Sequence, residues 1–260
     1  MRDTRQGWAH TFVSTTVLAH KSAPPVVPDR WGGDSIDVPT PGRPPELTVV
    51  ERSPRSPSAG GLKRPEERAR ILHTFWHHEL QAAELMCWAA LRFPDTPEAF
   101  RDGLIAIALD EVRHMGVYRR HIEALGFELG DFGVRDWFWQ RVGQVSSPVQ
   151  FVALLGMGFE GANLDHADRW AQRFRAAGDV EGAAIQEQVG REEVGHVRFA
   201  LKWFAEWTGG TDFDTWEASL PPPLTPLVLK GRSLQRAQRR RAGFSDDFLD
   251  ALERWQPPGS

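Results

Sequence analysis

One pattern occurs twice in this chain: a glutamate and, about 32 residues later, a Glu-x-x-His pair. Its six positions are Glu79, Glu111, His114, Glu160, Glu193 and His196. Glu-x-x-His is too short a pattern to carry a conclusion by itself, so its meaning depends on where the side chains lie on their helices. Six ionisable side chains facing one core restrict the chain to folds in which a bound group or a partner neutralises them.

The segments that carry the pattern have the apolar periodicity of four α-helices. Predicted helices cover 66–93 and 97–125, a third begins behind a cap at Ser147, and a fourth follows the turn around Gly178. Short turns join the first two and the last two helices, so each pair forms an antiparallel hairpin. The connection 126–146 has 21 residues, enough to cross the length of a bundle. We therefore predict an all-α, ferritin-like four-helix bundle with one long crossover.

The ionisable residues interrupt the apolar faces of these helices. In the second helix, steps of three or four residues lead from Ile107 to Glu111 and His114. The remaining helices place four further members on their apolar faces in the same way, namely Glu79, Glu160, Glu193 and His196. We expect all six side chains to point into the core.

Glu84 competes with Glu79 for the position on the first helix. Glu79 lies 14 residues before the turn and Glu111 lies 14 residues after it, so the two are level in a hairpin. Glu84 lies only 9 residues before the turn, which displaces it by about 7 Å along the axis. The hairpin geometry favours Glu79, and Glu84 stays as a residue that replaces or assists it.

These residues resemble the ferritin-like di-iron carboxylate proteins, whose pattern is a Glu and then Glu-x-x-His, repeated once. The run from His77 to Leu85 and the segment from Asp110 to His114 look closest to a bacterial ferritin-like family without an assigned reaction. The similarity covers about residues 40–250, including a Pro-Gly-Arg-Pro segment and the late Gln-Arg-Arg-Arg-Ala-Gly-Phe-Ser segment. The resemblance implies that the iron ligands are Glu79, Glu111, His114, Glu160, Glu193 and His196.

The physical chemistry of the pattern also favours a metal site. Four carboxylates in a water-free core repel one another, and desolvation and like-charge proximity raise their pKa values. Two divalent cations would cancel four negative charges. Carboxylate and imidazole ligands without thiolate suit iron, manganese or zinc, so we expect two Fe ions, with Mn or Zn as alternatives. A metal-free bundle in which arginines pair with these side chains is the simpler alternative, because the chain has 31 Lys and Arg residues.

Three functions fit such a bundle. The first is a non-haem di-iron or dimanganese oxidoreductase that activates dioxygen and oxidises a small organic substrate, which the sequence does not identify. The second is an iron-binding protein of ferroxidase type, and the third is a metal-free helical interaction module. About 60 residues precede the first helix and about 50 follow the fourth, and these would obstruct a storage shell, so the enzyme is favoured.

The flanking segments differ from the helices in composition. Nine prolines lie between Pro24 and Pro57, and we predict that residues 1–60 form an irregular, extended arm. Residues 61–209 form the predicted bundle. Residues 210–260 form a C-terminal helical extension that is expected to pack on it.

Composition restricts location and partners. The net charge of −4 gives no overall nucleic-acid signature, and the single cysteine, Cys87, excludes an internal disulfide. No leader-like segment or long apolar run is present, so we expect a cytoplasmic monomer or small homo-oligomer that does not bind membranes. A basic segment over 230–241 raises RNA as a partner, although pairing with acidic residues of the chain or a solvated face is the preferred interpretation.

Several other residues allow two interpretations. Tyr118 follows His114 by four residues, which indicates either core packing or, by resemblance to ribonucleotide reductase small subunits, a radical tyrosine. The glycines around Glu160 favour close helix packing, or a local bulge that leaves room for substrate. These glycines are Gly156, Gly158 and Gly161. Four histidines without ligand spacing are interpreted as surface groups or as groups that support the ligands: His77, His78, His121 and His166.

Overall fold

The computed structural model describes most of the chain, namely residues 3–32, 40–52, 56–231 and 234–257. In this part of the chain the structure consists of helices and loops without a β-strand, and one isolated parallel bridge joins Val49 and Val134. The prediction of an all-α fold is confirmed. Parts of the predicted arm, and Arg232 of the basic segment, lie outside the described residues.

The chain divides into two compact units. The first comprises Met1–Gln144 and Ala176–Gly178, and the second comprises Val145–Arg175 and Asp179–Ser260. Each unit has its own buried apolar core.

The first unit begins with two short helices, α1 (Arg5–Ser14) and α2 (Leu18–Ser22). The side chain of Thr4 caps α1 by accepting a hydrogen bond from the Gly7 N–H. The arm predicted to be extended over residues 1–60 therefore starts with helical structure, because α1 has apolar residues to bury. The described residues between Pro24 and Pro57 contain no helix, because proline interrupts helical hydrogen bonding.

Two long antiparallel helices form the centre of the first unit, α3 (Pro65–Arg92) and α4 (Glu98–Ala124). Their bounds agree with the predicted 66–93 and 97–125 to within one residue. Trp8 and Phe12 of α1 are buried, and α1 packs against α3. The long connection after α4 contains a one-turn helix, α5 (Trp139–Val142).

The second unit contains the predicted third and fourth helices. The third consists of α6 (Pro148–Phe151), a π-helix over Val152–Glu160, and α7 (Gly161–Ala176). The side chain of Ser147 accepts a hydrogen bond from the Gln150 N–H, which confirms the predicted cap. The fourth helix is α8 (Val180–Thr208), and the π-helix packs on it.

The C-terminal extension is helical and packs within the second unit. It contains α9 (Phe213–Ala218), a 3₁₀ turn at Pro226–Val228, α10 (Arg236–Ala242) and α11 (Asp246–Arg254). Aromatic rings of Phe213, Trp216, Phe244 and Phe248 form its core. Among the described residues, none of the helices combines the length and the apolar character that crossing a membrane requires.

Candidate metal centre

Helices α3 and α4 bring three predicted ligands together inside the first unit. Glu79, Glu111 and His114 each offer one ligand atom, and these atoms lie within 4.8 Å of one another. The Nδ1 atom of His114 lies 3.0 Å from Glu111 Oε2 and 3.7 Å from Glu79 Oε2. All three side chains are buried. The hairpin brings them together because Glu79 and Glu111 lie at equal distances from its turn.

The electrostatics of this triad favour a shared cation. Burial, followed by the neighbouring carboxylate of Glu111, raises the pKa of Glu79 well above its ordinary value. Burial alone would lower the pKa of His114, but hydrogen bonds and charges from Glu111 and Glu79 raise it to about 12. The imidazole therefore carries a proton between two carboxylates. That proton partly neutralises the buried charge, as a metal ion would do more completely.

The second unit contains the other three predicted ligands. On α8, His196 Nδ1 lies 3.0 Å from Glu193 Oε2, the same distance as in the pair on α4. The side-chain amide of Asn163 donates a hydrogen bond to the other oxygen of Glu193 at 3.3 Å. Glu160 is buried at the end of the π-helix. The repeated sequence pattern thus gives a repeated local geometry in the two Glu-x-x-His pairs.

Glu84 belongs to a different cluster from Glu79. Its two carboxylate oxygens accept hydrogen bonds from Lys21 at 2.7 Å, from Arg43 at 2.7 and 2.9 Å, and from Trp139 at 2.7 Å. Five residues along an α-helix correspond to about 140° around its axis, so Glu84 and Glu79 point to different sides of α3. Glu84 is not part of the buried group that could hold a metal ion. The assignment of the ligand position on this helix to Glu79 stays a prediction, and these contacts of Glu84 support it.

A row of polar residues on α3 attaches the long connection to this helix. His73 accepts a hydrogen bond from the Gly130 N–H at 2.9 Å, and His77 Nε2 lies 3.0 Å from Asp136 Oδ1. The side-chain amide of Gln81 accepts a hydrogen bond from the Phe138 N–H and donates one to the Arg135 carbonyl. His77 is buried, so the interpretation of this residue as a surface group is wrong. The spacing His73, His77, Gln81, Glu84 is the sequence signal of this second polar face.

Ion pairs shift the pKa values of the charged residues that contact this row on α3. Burial alone would raise the pKa of Asp136, but hydrogen bonds from His77 and Arg43 lower it to about 2. Burial lowers the pKa of Lys21 in spite of its contact with Glu84. These groups therefore hold two segments against α3, namely the N-terminal arm and the long connection after α4. Their carboxylates are occupied by protein donors, which separates them chemically from the Glu79 triad.

The donor set of the triad fits a divalent cation of intermediate hardness. Carboxylates and imidazole bind iron, manganese and zinc, and the group contains no cysteine. A buried group of this composition could hold a metal ion. Tyr118, one turn beyond His114, is buried with its ring centroid 6.0 Å from that of Phe75, a contact typical of core packing.

The basic segment forms ion pairs with acidic residues of the second unit. Arg236 contacts Asp246, Asp250 and Glu253, and Arg239 is buried against Asp165 at 2.6 Å. Arg236, Arg239 and Arg240 of α10 therefore pair with acidic residues of the chain, as the preferred interpretation of the sequence expects.

Comparison with known proteins gives a family but no activity. A protein of Haemophilus influenzae named "Uncharacterized protein" is 25% identical over 195 residues, which cover 71% of this chain and 67% of that protein. No solved structure matches the chain. The family model described as "Protein of unknown function (DUF455)" matches residues 4–250, in agreement with the predicted resemblance to a family without an assigned reaction. The chain therefore belongs to the family of proteins of unknown function DUF455.

Proposed function

We propose that this protein is a ferritin-like, non-haem di-iron or dimanganese oxidoreductase that uses dioxygen to oxidise a small organic substrate. The observation that carries the proposal is the buried triad of Glu79, Glu111 and His114. Two carboxylates and an imidazole are costly to bury together, and a polypeptide gains little stability from such a group unless it binds a cation. A metal-dependent reaction at this group would explain why the protein buries these side chains in spite of the cost in stability.

We propose two metal ions, because the same motif occurs twice. Glu193 and His196 reproduce the 3.0 Å geometry of Glu111 and His114, and both pairs are buried. In bundles of ferritin-like type, each half of the chain contributes one glutamate and one Glu-x-x-His pair to a common site. By that arrangement, the ligands would be Glu79, Glu111, His114, Glu160, Glu193 and His196.

The protein side chains would have three tasks at this site. The carboxylates would hold the cations and balance their charge, while the two imidazoles would fix the geometry. His114 would lose the proton that it shares with Glu111, since a ligating imidazole is neutral. Burial of these groups would exclude water from the reaction. When bound in reduced form, the metal pair would supply the electrons and the Lewis acidity that dioxygen chemistry requires.

Oxygen consumption tests the proposed reaction. The full-length protein, loaded with Fe(II) without oxygen, is expected to consume dioxygen when it is returned to air with a reductant. His114→Ala should lose this activity, because it removes a ligand from the buried triad. Glu123→Gln is the matched control on α4, since Glu123 is exposed and pairs with Arg119. Equal oxygen consumption by His114→Ala and the wild type would contradict the proposal, and so would a shell-sized particle containing hundreds of irons.

A further inference from the structure

The segment that ends in Glu160 has an unusual backbone for a predicted ligand. The π-helix runs over nine residues, Val152–Glu160, whereas π geometry commonly occupies a single turn. A π-turn contains about one residue more than an α-turn, and one residue corresponds to roughly 100° around a helix axis. The direction of Glu160 relative to α6 therefore depends on whether this segment keeps its π conformation.

Trp216 of the C-terminal extension binds the backbone of this segment. Its indole N–H donates a hydrogen bond to the carbonyl of Ala153 at 3.0 Å, and the Trp216 side chain is fully buried. A side-chain donor inserted into the backbone ladder of a helix is an established cause of local departure from α geometry. The bond also satisfies a carbonyl that would be costly to bury without a partner.

Glycines of the same segment allow the extension to approach closely. A Cβ atom added to Gly158 would lie 3.1 Å from Val228 Cγ2, and one added to Gly161 would lie 2.7 Å from Leu229 Cδ1. These neighbours follow or form the 3₁₀ turn at Pro226–Val228. The extension thus contacts the π-helix and the residue after it at several points, and Glu160 lies between two of them.

We propose that the C-terminal extension, through Trp216, holds the Val152–Glu160 segment in its π conformation and so sets the direction of Glu160 as a metal ligand. Trp216 is then a positioning residue. The inference rests on the proposed metal site, but the conformation of the segment can be measured without metal. The sequence alone indicated only that the glycines allow a bulge and that the extension packs nearby.

The test compares Trp216→Phe with Trp255→Phe in the full-length protein. Both variants keep an aromatic ring and lose one indole hydrogen bond of the extension, but Trp255 donates to Glu217 and not to the π-helix. Hydrogen exchange of residues 152–160 reports the backbone, and the visible spectrum of bound Co(II) reports the ligands. We expect Trp216→Phe to exchange at least tenfold faster in this segment, with a changed Co(II) spectrum and at least tenfold weaker binding of one ion. Trp255→Phe should behave as the wild type.

The possible failures are distinguishable. Unchanged exchange in folded Trp216→Phe would overturn the role of Trp216, and faster exchange with an unchanged Co(II) spectrum would overturn the link to Glu160. A wild-type protein that binds no Co(II) would overturn the metal site itself. If Trp216→Phe does not fold, Gly158→Ala tests the same interface: it should change the spectrum, and adding Val228→Ala should restore it. Lack of any change in Gly158→Ala would again overturn the inference.

Discussion

Lys21 Nζ lies 2.7 Å from Glu84 Oε1, and neither side chain is exposed to solvent. Lys21 also donates to the Phe12 and Val13 carbonyls near the end of α1, at 2.6 and 2.8 Å. The lysine therefore joins α1 and α2 to α3 through one ammonium group. Glu84 therefore stabilises the packing of these helices on α3, whereas Glu79, five residues earlier, belongs to the candidate metal centre.

Because Glu84 has a structural role and is not a proposed ligand, Glu84→Gln should lower the stability of the protein and have little effect on metal binding. The substitution leaves Lys21 buried without its counter-ion, which typically costs about 3–5 kcal/mol. Urea denaturation of the metal-free protein measures the loss. Variants that still fold should retain the metal content of the wild type.

The matched substitution on the same helix, Glu79→Gln, is expected to have the opposite effect. It removes a carboxylate whose pKa is raised by burial and by Glu111, so the metal-free protein should lose no stability. Metal content should fall, because a ligand is missing. The distinction between the two glutamates would be wrong if Glu79→Gln kept all its metal while folded Glu84→Gln lost it.

The stability of the protein should depend on pH through His73. Burial, with a smaller contribution from His77, lowers the pKa of His73 from 6.5 to about 4. The unfolded chain binds the proton from about pH 6.5 downward, but the folded protein does not until about pH 4, so stability falls across that interval. The shift corresponds to about 3 kcal/mol. Urea denaturation at a series of pH values measures this change.

His73→Gln is the variant that isolates this contribution. Its amide oxygen can still accept the Gly130 N–H, but it does not titrate. Between pH 6.5 and 4, the free energy of unfolding should decrease less in the variant than in the wild type, by about 3 kcal/mol. Parallel pH curves for the two proteins would show that His73 is not responsible.

The contact between the π-helix and α8 gives a packing prediction. A Cβ atom added to Gly156 would overlap the Cβ of Ala200, so Gly156→Ala should lower stability by about 1–3 kcal/mol. Adding Ala200→Gly should restore part of the loss. Gly195 on α8 is the control, because an added Cβ meets no atom within 4 Å there, and Gly195→Ala should raise stability by up to about 1 kcal/mol. Thermal melts that rank these variants differently would contradict the described packing.

Much of the helical architecture was predictable from apolar periodicity. The bounds of α3 and α4 followed to within one residue, because a proline-containing turn separates two long amphipathic segments. Equal spacing from that turn also favours Glu79 over Glu84 as the ligand. Spacing from the turn is enough for this comparison, since both glutamates lie on α3, the first helix of the hairpin.

Contacts with the flanking segments were not predictable in the same way. The partners of Glu84 come from α2, from the Pro-rich arm and from α5, at separations of 63, 41 and 55 residues. Periodicity shows that a position is buried but does not show which distant donor meets it. The π-helix before Glu160 was indicated only as a bulge, because glycines allow such a backbone without determining it.

Metal analysis of the full-length protein tests the central claim most directly. The protein, prepared with iron supplied and then freed of loosely bound ions, should contain about two metal ions per chain. A double variant, Glu111→Gln with Glu193→Gln, should contain close to none and remain folded. A folded wild-type protein with no more metal than this double variant would contradict the account and leave a metal-free helical protein.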